Sequence, residues 1–329
     1  MSSRPVTLED VAAHAKVSKM TVSLCLREDG WMGRASAATR ARVMASVREL
    51  GYRPNIRGRA LRLGKTNVIA FYAGHGFVNV RIPYFTEIVS GLQEGCELVQ
   101  KDLLLHGTFH TSTTEDIFGE LLDGRIDGLV VNMSGNDPLV EHLKRSNFSF
   151  VAVADEIEGV PSILVDDAGG AAILARHLYD QGHRKLAYCS SPTRTASDLA
   201  RLSSFRAVAA DLGMHLSEVL PYSNGEWGNC LKEAMDLGAT AFPCWNDDQA
   251  RDVFNALLEI GVEIPKQIAV TGFDGCPTPF REAWPLTTIA APWSEVGKSA
   301  VLHLNARMAG EALAPRIVLP VRFVRGTTS

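Results

Sequence analysis

The sequence predicts an all-α head joined to an α/β body of two lobes, each lobe a parallel sheet with helices on both faces. Three observations carry that expectation. Charge is divided: residues 1–66 hold thirteen Lys/Arg against five Asp/Glu, a net of +8, and the rest hold twenty against thirty-two, a net of −12. The stretch from Thr7 to Leu26 has helical periodicity and helix caps but no strand pattern. From residue 67 onward, short apolar runs alternate with helix-length segments, the signature of parallel sheets. With 329 residues, 46% of them hydrophobic and 21% charged, the chain has room for several domains with large cores.

In the head, Leu8, Val11, Ala12 and Ala15 fall on one helical face, and Thr7 with Asp10 has the spacing of a capping box. Ser18 can cap a second helix from Lys19, with Val22 and Leu26 turned back onto the first. Ala15-Lys16-Val17 must turn the chain sharply between them. That leaves Lys19, Met20, Ser23 and Leu24 facing outward, the layout of a helix-turn-helix whose second helix meets base edges. After a loop, Arg27 to Ala35, Ser36 caps a third helix, Ala37 to Leu50, with Val43, Val47 and Leu50 as its apolar stripe. Gly51 then ends it at the position where a left-handed residue costs least. A basic segment, IRGRALRLGKT, follows with little to bury. A basic helical head on an acidic body is the balance expected of a nucleic-acid-binding module attached to something else.

In the body the strand candidates are 68–73, 103–106, 128–132, 150–154, 163–165, 186–190, 241–245 and 268–272. The helix candidates are 84–99, 114–122, 139–145, 169–181, 198–212, 229–237, 247–260 and 294–308. These are too many strands for one compact sheet of this type, hence two lobes, and the stretch from Leu286 to Arg325 reads as the chain crossing back between them. In such sheets ligands sit at the carboxyl ends of strands. Those ends offer Asp166-Asp167, Asn246-Asp247 and Phe273-Asp274, with Arg201 opening a helix and aromatic residues available as walls. Polar groups of both signs among aromatic rings suit a polyol or sugar-like ligand.

No apolar run approaches the roughly eighteen residues of a membrane span. The N-terminus leads into a capped helix without the apolar stretch of a secretion signal, so a cytoplasmic protein is expected. The six cysteines (25, 96, 189, 230, 244 and 276) have no CxxC spacing and read as buried thiols. Neither a metal site nor a cofactor is expected: His106 and His110 leave a strand end, and GHGFVN at 74–79 lacks the third glycine of a dinucleotide fingerprint. No catalytic set can be assembled, so the expectation is that the chain is not an enzyme. An exported sugar-binding protein is the competing class, and the missing leader counts against it.

Three motifs in order, VTLEDVAAHAKVSKMTVS, then TR…V…ELGYRPN, then ALRLGKTNVIAF, resemble the head of a LacI/GalR-family transcription regulator, and the resemblance runs on through the body. It implies a helix-turn-helix DNA-binding domain over 1–54, a hinge helix and linker over 55–66, and a periplasmic-binding-protein-like effector-binding and dimerisation domain over 67–329. By that resemblance Thr7, Ser18, Lys19, Met20, Thr21, Ser23 and Leu24 belong to the DNA-binding set. Arg40, Tyr52, Asn55 and Arg59 are candidates for phosphate or groove contacts, and Leu61 is the minor-groove wedge. The effector set is Phe85, Asp166 or Asp167, Arg201, Asn246, Asp274 and Trp293; Tyr222 and Trp227 read as core. The implied partners are double-stranded operator DNA, a small sugar-like effector and a second copy of the chain, with no membrane; the expected role is a repressor.

Three departures from the family pattern stand out. Leu24 replaces an arginine that can read guanine, a contact worth ~1–3 kcal/mol of discrimination. Lys16 replaces a glycine, so a left-handed backbone there costs ~1–2 kcal/mol. The loop from Arg27 to Ala35 is about three residues longer than usual.

Overall fold

The computed structural model describes residues 4, 6–26, 35–53, 64–74, 78–107, 113–221, 226–277 and 285–329. The chain divides into two compact units, Met1–Thr66 and Asn67–Ser329.

The head is three helices, α1 (Leu8–Ala15), α2 (Lys19–Cys25) and α3 (Ala37–Glu49). Each begins where its sequence supplies a cap. Thr7 and Asp10 form a reciprocal capping box: the Thr7 amide donates to Asp10 at 2.8 Å and the Asp10 amide to the Thr7 hydroxyl at 3.3 Å. Ser18 accepts from the Thr21 amide and Ser36 from the Thr39 amide. Val11, Ala12, Ala15, Val22, Cys25 and Val43 make a small core, closed by Tyr52. Two polar staples from α3 hold α1: Arg42 donates to the Ala15 carbonyl at 2.9 Å, and Ser46 meets His14 at 3.0 Å. The turn between α1 and α2 places Lys16 at φ 51, ψ 50, a left-handed backbone carried by a side chain rather than by glycine. Gly51, at φ 61, ends α3.

The body carries two parallel sheets. The first lobe has β1 (Val68–Ala73), β2 (Asp102–His106), β3 (Gly128–Asn132), β4 (Phe150–Val153) and β5 (Ser162–Val165), joined by β11 (Arg316–Leu319), in the order β11-β5-β4-β3-β1-β2. Its helices are α4 (Pro83–Leu98), α5 (Thr114–Leu121) and α6 (Pro138–Arg145). The second lobe has β6 (Lys185–Cys189), β7 (His215–Val219), β8 (Ala241–Pro243) and β9 (Ala269–Thr271), in the order β7-β6-β8-β9. With them run α7 (Asp167–Asp180), α8 (Ala196–Asp211), α9 (Gly228–Asp236) and α10 (Asp247–Glu259). The antiparallel pair β10 (Thr288–Ala290) and β12 (Arg322–Val324) is tied to the second lobe by bridges from Thr271 to Thr287 and from Asp274 to Ala290.

The chain crosses between lobes three times, at β5 to α7, at β10 to α11 (Trp293–Met308), and at β11 to β12. After the second crossing α11 packs on α4 in the first lobe at backbone contact. A Cβ at Gly91 would stand 1.7 Å from the Ser294 carbonyl oxygen, and one at Gly297 2.4 Å from that of Ile88. Glycine at these positions is a packing requirement: any side chain would push the helices apart.

Where the sequence predicts strands, the sheets have them, with ends shifted by a residue or two. Strand β8 stops at Pro243, although Cys244 still bridges Cys189. Strand β7, HLSEV, is absent from the expectations because it is only partly buried and too polar to stand out as an apolar run. All six cysteines are free and buried. No described helix is long and apolar enough to cross a membrane.

Candidate functional site

Each unit carries one group of candidate residues. In the head, Val22 and Cys25 anchor α2 inward, and the other side of the helix is open. Met20 is 73% exposed, the largest exposure of any large hydrophobic side chain described in the head. Lys19 is exposed and ion-paired with Glu9 of α1. Ser23 and Leu24 are half-buried. Thr7 and Ser18 have their hydroxyls engaged at the helix starts, Ser18 with the Thr21 hydroxyl at 2.9 Å. Arg40 is half-buried on α3. Tyr52 belongs to the head core at 8% exposure, which sets it back from the surface expected of a groove contact. Its tyrosine follows the turn at Gly51 and closes over Val43, so packing claims the ring. Asn55, Arg59 and Leu61, and with them the expected hinge helix, lie outside the described residues, as does most of the long loop after α2.

In the body, strand ends and helix starts from both lobes converge on one narrow cleft, partly open to solvent. Its lining includes Tyr84 from the first lobe and Asn246, Asp247, Arg251 and Asp274 from the second. Behind the lining residue Asp274 lies Arg201, 3% exposed on α8. Its Nε donates to Asp167 at 2.7 Å and one terminal nitrogen donates to the Trp245 carbonyl at 2.5 Å. The other terminal nitrogen stands 4.0 Å from Asp274, and the guanidinium lies 3.6 Å over the Phe273 ring. Every edge of this arginine is therefore spoken for, which fixes its plane. Burial alone lowers an arginine's pKa, but the Asp167 and Asp274 carboxylates outweigh it and hold the charge.

Burial pushes the Asp274 carboxyl well above the usual carboxylate range, against the opposing pull of Arg201. Asp167 is raised for the same reason, again opposed by Arg201. Asp274 also carries a left-handed backbone, φ 119, at the bridge to Ala290. Asn246 caps α10, accepting from the Gln249 amide at 2.8 Å, which fixes its side chain at the cleft edge.

Two expected residues fall outside this group. Asp166 is exposed and caps α7, accepting from the Gly169 amide at 2.9 Å, so of the adjacent aspartates only Asp167 faces Arg201. Phe85 is half-buried and stands outside the lining of the cleft, whereas its neighbour Tyr84 lines it. Trp293 stands where α11 begins, 3% exposed and edge-on to Tyr84 at 4.8 Å. Its indole N–H lies beside the Asp274 carboxylate without full hydrogen-bond geometry. The Tyr84 hydroxyl likewise has no protein partner. Of the two, Tyr84 lines the cleft, and its hydroxyl is a donor that a ligand's oxygen atom could accept from. Trp227 packs in the second-lobe core, and Tyr222 lies outside the described residues.

Three further groups stand outside the expected effector set, although Asp247 is among the strand-end residues that the sequence offers. Asp247 accepts from the Thr288 hydroxyl at 2.5 Å and the Gly275 amide at 2.8 Å, tying α10 to the β10 side of the cleft. Asp155, just after β4, accepts from the Ser197 amide at 2.9 Å, a direct hydrogen bond between the lobes. Tyr84 is the third. A carboxylate directly after a strand was the available signal for Asp155; nothing local distinguishes Tyr84 from Phe85.

Two family models match the chain, one for bacterial regulatory proteins of the lacI family over residues 7–55 and one for a periplasmic binding protein-like domain over residues 175–329. Among curated relatives, the HTH-type transcriptional repressor MelR of Bacillus subtilis (strain 168) is 28% identical, covering 97% of this chain and 96% of its own. The HTH-type transcriptional repressor CytR of Escherichia coli (strain K12) is 27% identical, covering 98% and 96%. Among solved structures, the Lac repressor dimer bound to operator and the anti-inducer ONPF superposes with a TM-score of 0.81 at 25% identity, covering 99% of both chains.

Proposed function

Because the chain belongs to the LacI family, with that family's helix-turn-helix head on a periplasmic-binding-protein-like body, we propose that it is a ligand-responsive transcription regulator. It binds operator DNA as a homodimer and acts as a repressor under a small sugar-like effector. A regulator of this kind works in the cytoplasm, beside its DNA. The observation that carries the reading is the presence in one chain of an open helix face on a basic head and a cleft built on a fully committed buried arginine.

In this reading Lys19, Met20, Ser23 and Leu24 meet base edges, and Thr7, Ser18, Thr21 and Arg40 contribute to the phosphate-facing surface. Asp167, Asn246 and Asp274 accept from ligand hydroxyls, Arg201 orients the two aspartates, and Tyr84 and Trp293 form the apolar wall. Effector and operator then exchange free energy through the arrangement of the two lobes. A coupling of ~1–3 kcal/mol would change operator affinity roughly 5- to 150-fold.

The test is a thermal-shift screen of neutral sugars and their derivatives on the full chain, followed by operator titrations with the best binder. Operator affinity should move by a factor in that range. A compound that saturates the body and leaves operator affinity unchanged would end the ligand-responsive reading.

A further inference from the structure

The outer side of α2 has an unusual chemistry for a helix that reads bases. Its sequence, KMTVSLC, holds no arginine, asparagine or glutamine, the side chains that clamp guanine or adenine with two hydrogen bonds. Lys19 is the one charged donor on the helix, and Glu9 of α1 competes for it. What the helix offers instead is apolar. Met20 is 73% exposed although the helix already has its inward anchors in Val22 and Cys25. Leu24, one turn further on and on the same side, is half-buried.

An exposed methionine on a short helix has no core to serve, so its chemistry points outward. In the major groove only thymine presents an apolar group at its edge, the 5-methyl; the other bases present hydrogen-bonding atoms alone. A flexible thioether side chain adapts to such a methyl, and a leucine one turn away extends the same apolar surface. The net charge of +8 on residues 1–66 supplies the sequence-independent attraction to the duplex, which leaves α2 free to discriminate by shape and apolar contact.

We infer that Met20, with Leu24 beside it, reads thymine methyl groups, so that each operator half-site depends on thymine at the positions facing α2. The inference rests on the DNA-binding reading above.

The experiment separates the two. Operators are selected from random duplexes with the full-length protein. Each thymine of the selected half-site is then replaced in turn by deoxyuridine, which removes the methyl and nothing else. At one or two positions affinity should fall about four-fold, the worth of one buried methyl-sized group. In Met20→Ala or Leu24→Ala that sensitivity, taken as the ratio of thymine to deoxyuridine affinity within each variant, should shrink toward one-fold. Placing 5-methylcytosine in a cytosine-substituted site should restore part of the affinity. Enriched operators that bind equally well with deoxyuridine at every position would overturn the inference and leave the regulator reading standing. So would a deoxyuridine penalty that both variants retain. Failure to enrich any sequence would remove both.

Discussion

The side chains that the head offers are exposed or half-buried and come, Arg40 apart, from one short stretch, Thr7 to Leu24, whereas those of the cleft are half-buried or buried and arrive from strand ends and helix starts spread between Tyr84 and Trp293. In the head, the core and the base-facing side of α2 are different residues: Val11, Val22 and Val43 fold it, and Met20 and Lys19 face away. In the body scaffold and working surface overlap, since Asp247 lines the cleft and also ties α10 to Gly275 and Thr288, and the Arg201–Asp167 pair is buried directly behind Asp274. The head can therefore change what it reads at little cost in stability. A change at Asp247, Arg201 or Asp167 alters folding and binding at once, and each must be measured separately.

Arg201→Ala should show the difference most strongly. It leaves Asp167 and Asp274 buried without their cation, which should cost the body about 3–5 kcal/mol. Met20→Ala should leave stability within about 0.5 kcal/mol. Thermal unfolding of both variants decides the matter, and equal midpoints would mean that the contrast between the two units does not exist.

Gly91→Ala should rank next, at roughly 1–3 kcal/mol, because a Cβ there meets the Ser294 carbonyl head-on. The control is Gly119→Ala in α5, where a Cβ meets nothing within 4 Å; it should be neutral or stabilising by about 0.5–1 kcal/mol. Denaturant titrations of the pair test whether backbone contact between α4 and α11 holds the first lobe together.

Asp274→Asn sharpens the point that cleft residues trade stability for binding. Because burial raises its folded-state pKa, there is a pH window between the unfolded and the folded value in which the native protein holds a proton that the unfolded chain has lost. The contribution of this group is therefore fullest below the ordinary carboxylate range and declines as pH rises through the raised folded value. At neutral pH the asparagine variant should be more stable than the parent by about 1 kcal/mol, while effector affinity drops about ten- to a hundred-fold. Unfolding midpoints of parent and variant that run parallel from pH 4 to pH 8 would contradict this.

The smallest expected effect is in the head. Lys16→Gly removes a left-handed side-chain residue from the turn and should stabilise the head by about 0.5–1 kcal/mol, less than the full backbone penalty because glycine is freer when unfolded. Urea unfolding followed in the head should register it, and a loss of stability would mean that the lysine makes a compensating contact.

The same contrast explains what could be read in advance. Caps at Thr7, Ser18 and Ser36, the left-handed turn at Lys16 and the glycine after α3 are local, and each was legible in the residues beside it. In the body the alternation of strands and helices, the two lobes and the carboxyl-end residues were legible, because strand ends carry their polar groups in fixed order. The choice between Asp166 and Asp167 was not. Both follow the same strand, and only the docking of α7 on α8 turns one toward Arg201 and leaves the other to cap a helix. Tyr84 and Phe85 differ by one helical step, and the packing of α4 on α11 decides which meets the cleft. Asp155 belongs to no motif, and its partner Ser197 is remote in sequence.

The glycine contact between α4 and α11 bears on how such a cleft changes over generations. Tyr84 and Trp293 stand in the first turns of two helices whose spacing is fixed further along by Gly91, Gly95 and Gly297. The ledge on which the rings stand is thus set by residues that do not touch a ligand. The half-buried Tyr84 ring can be exchanged while the ledge stays in place, whereas Trp293, buried in the core, is part of the packing that seats it. New ligand preferences on this wall are then reached by single steps through folded intermediates, as long as the glycines are kept.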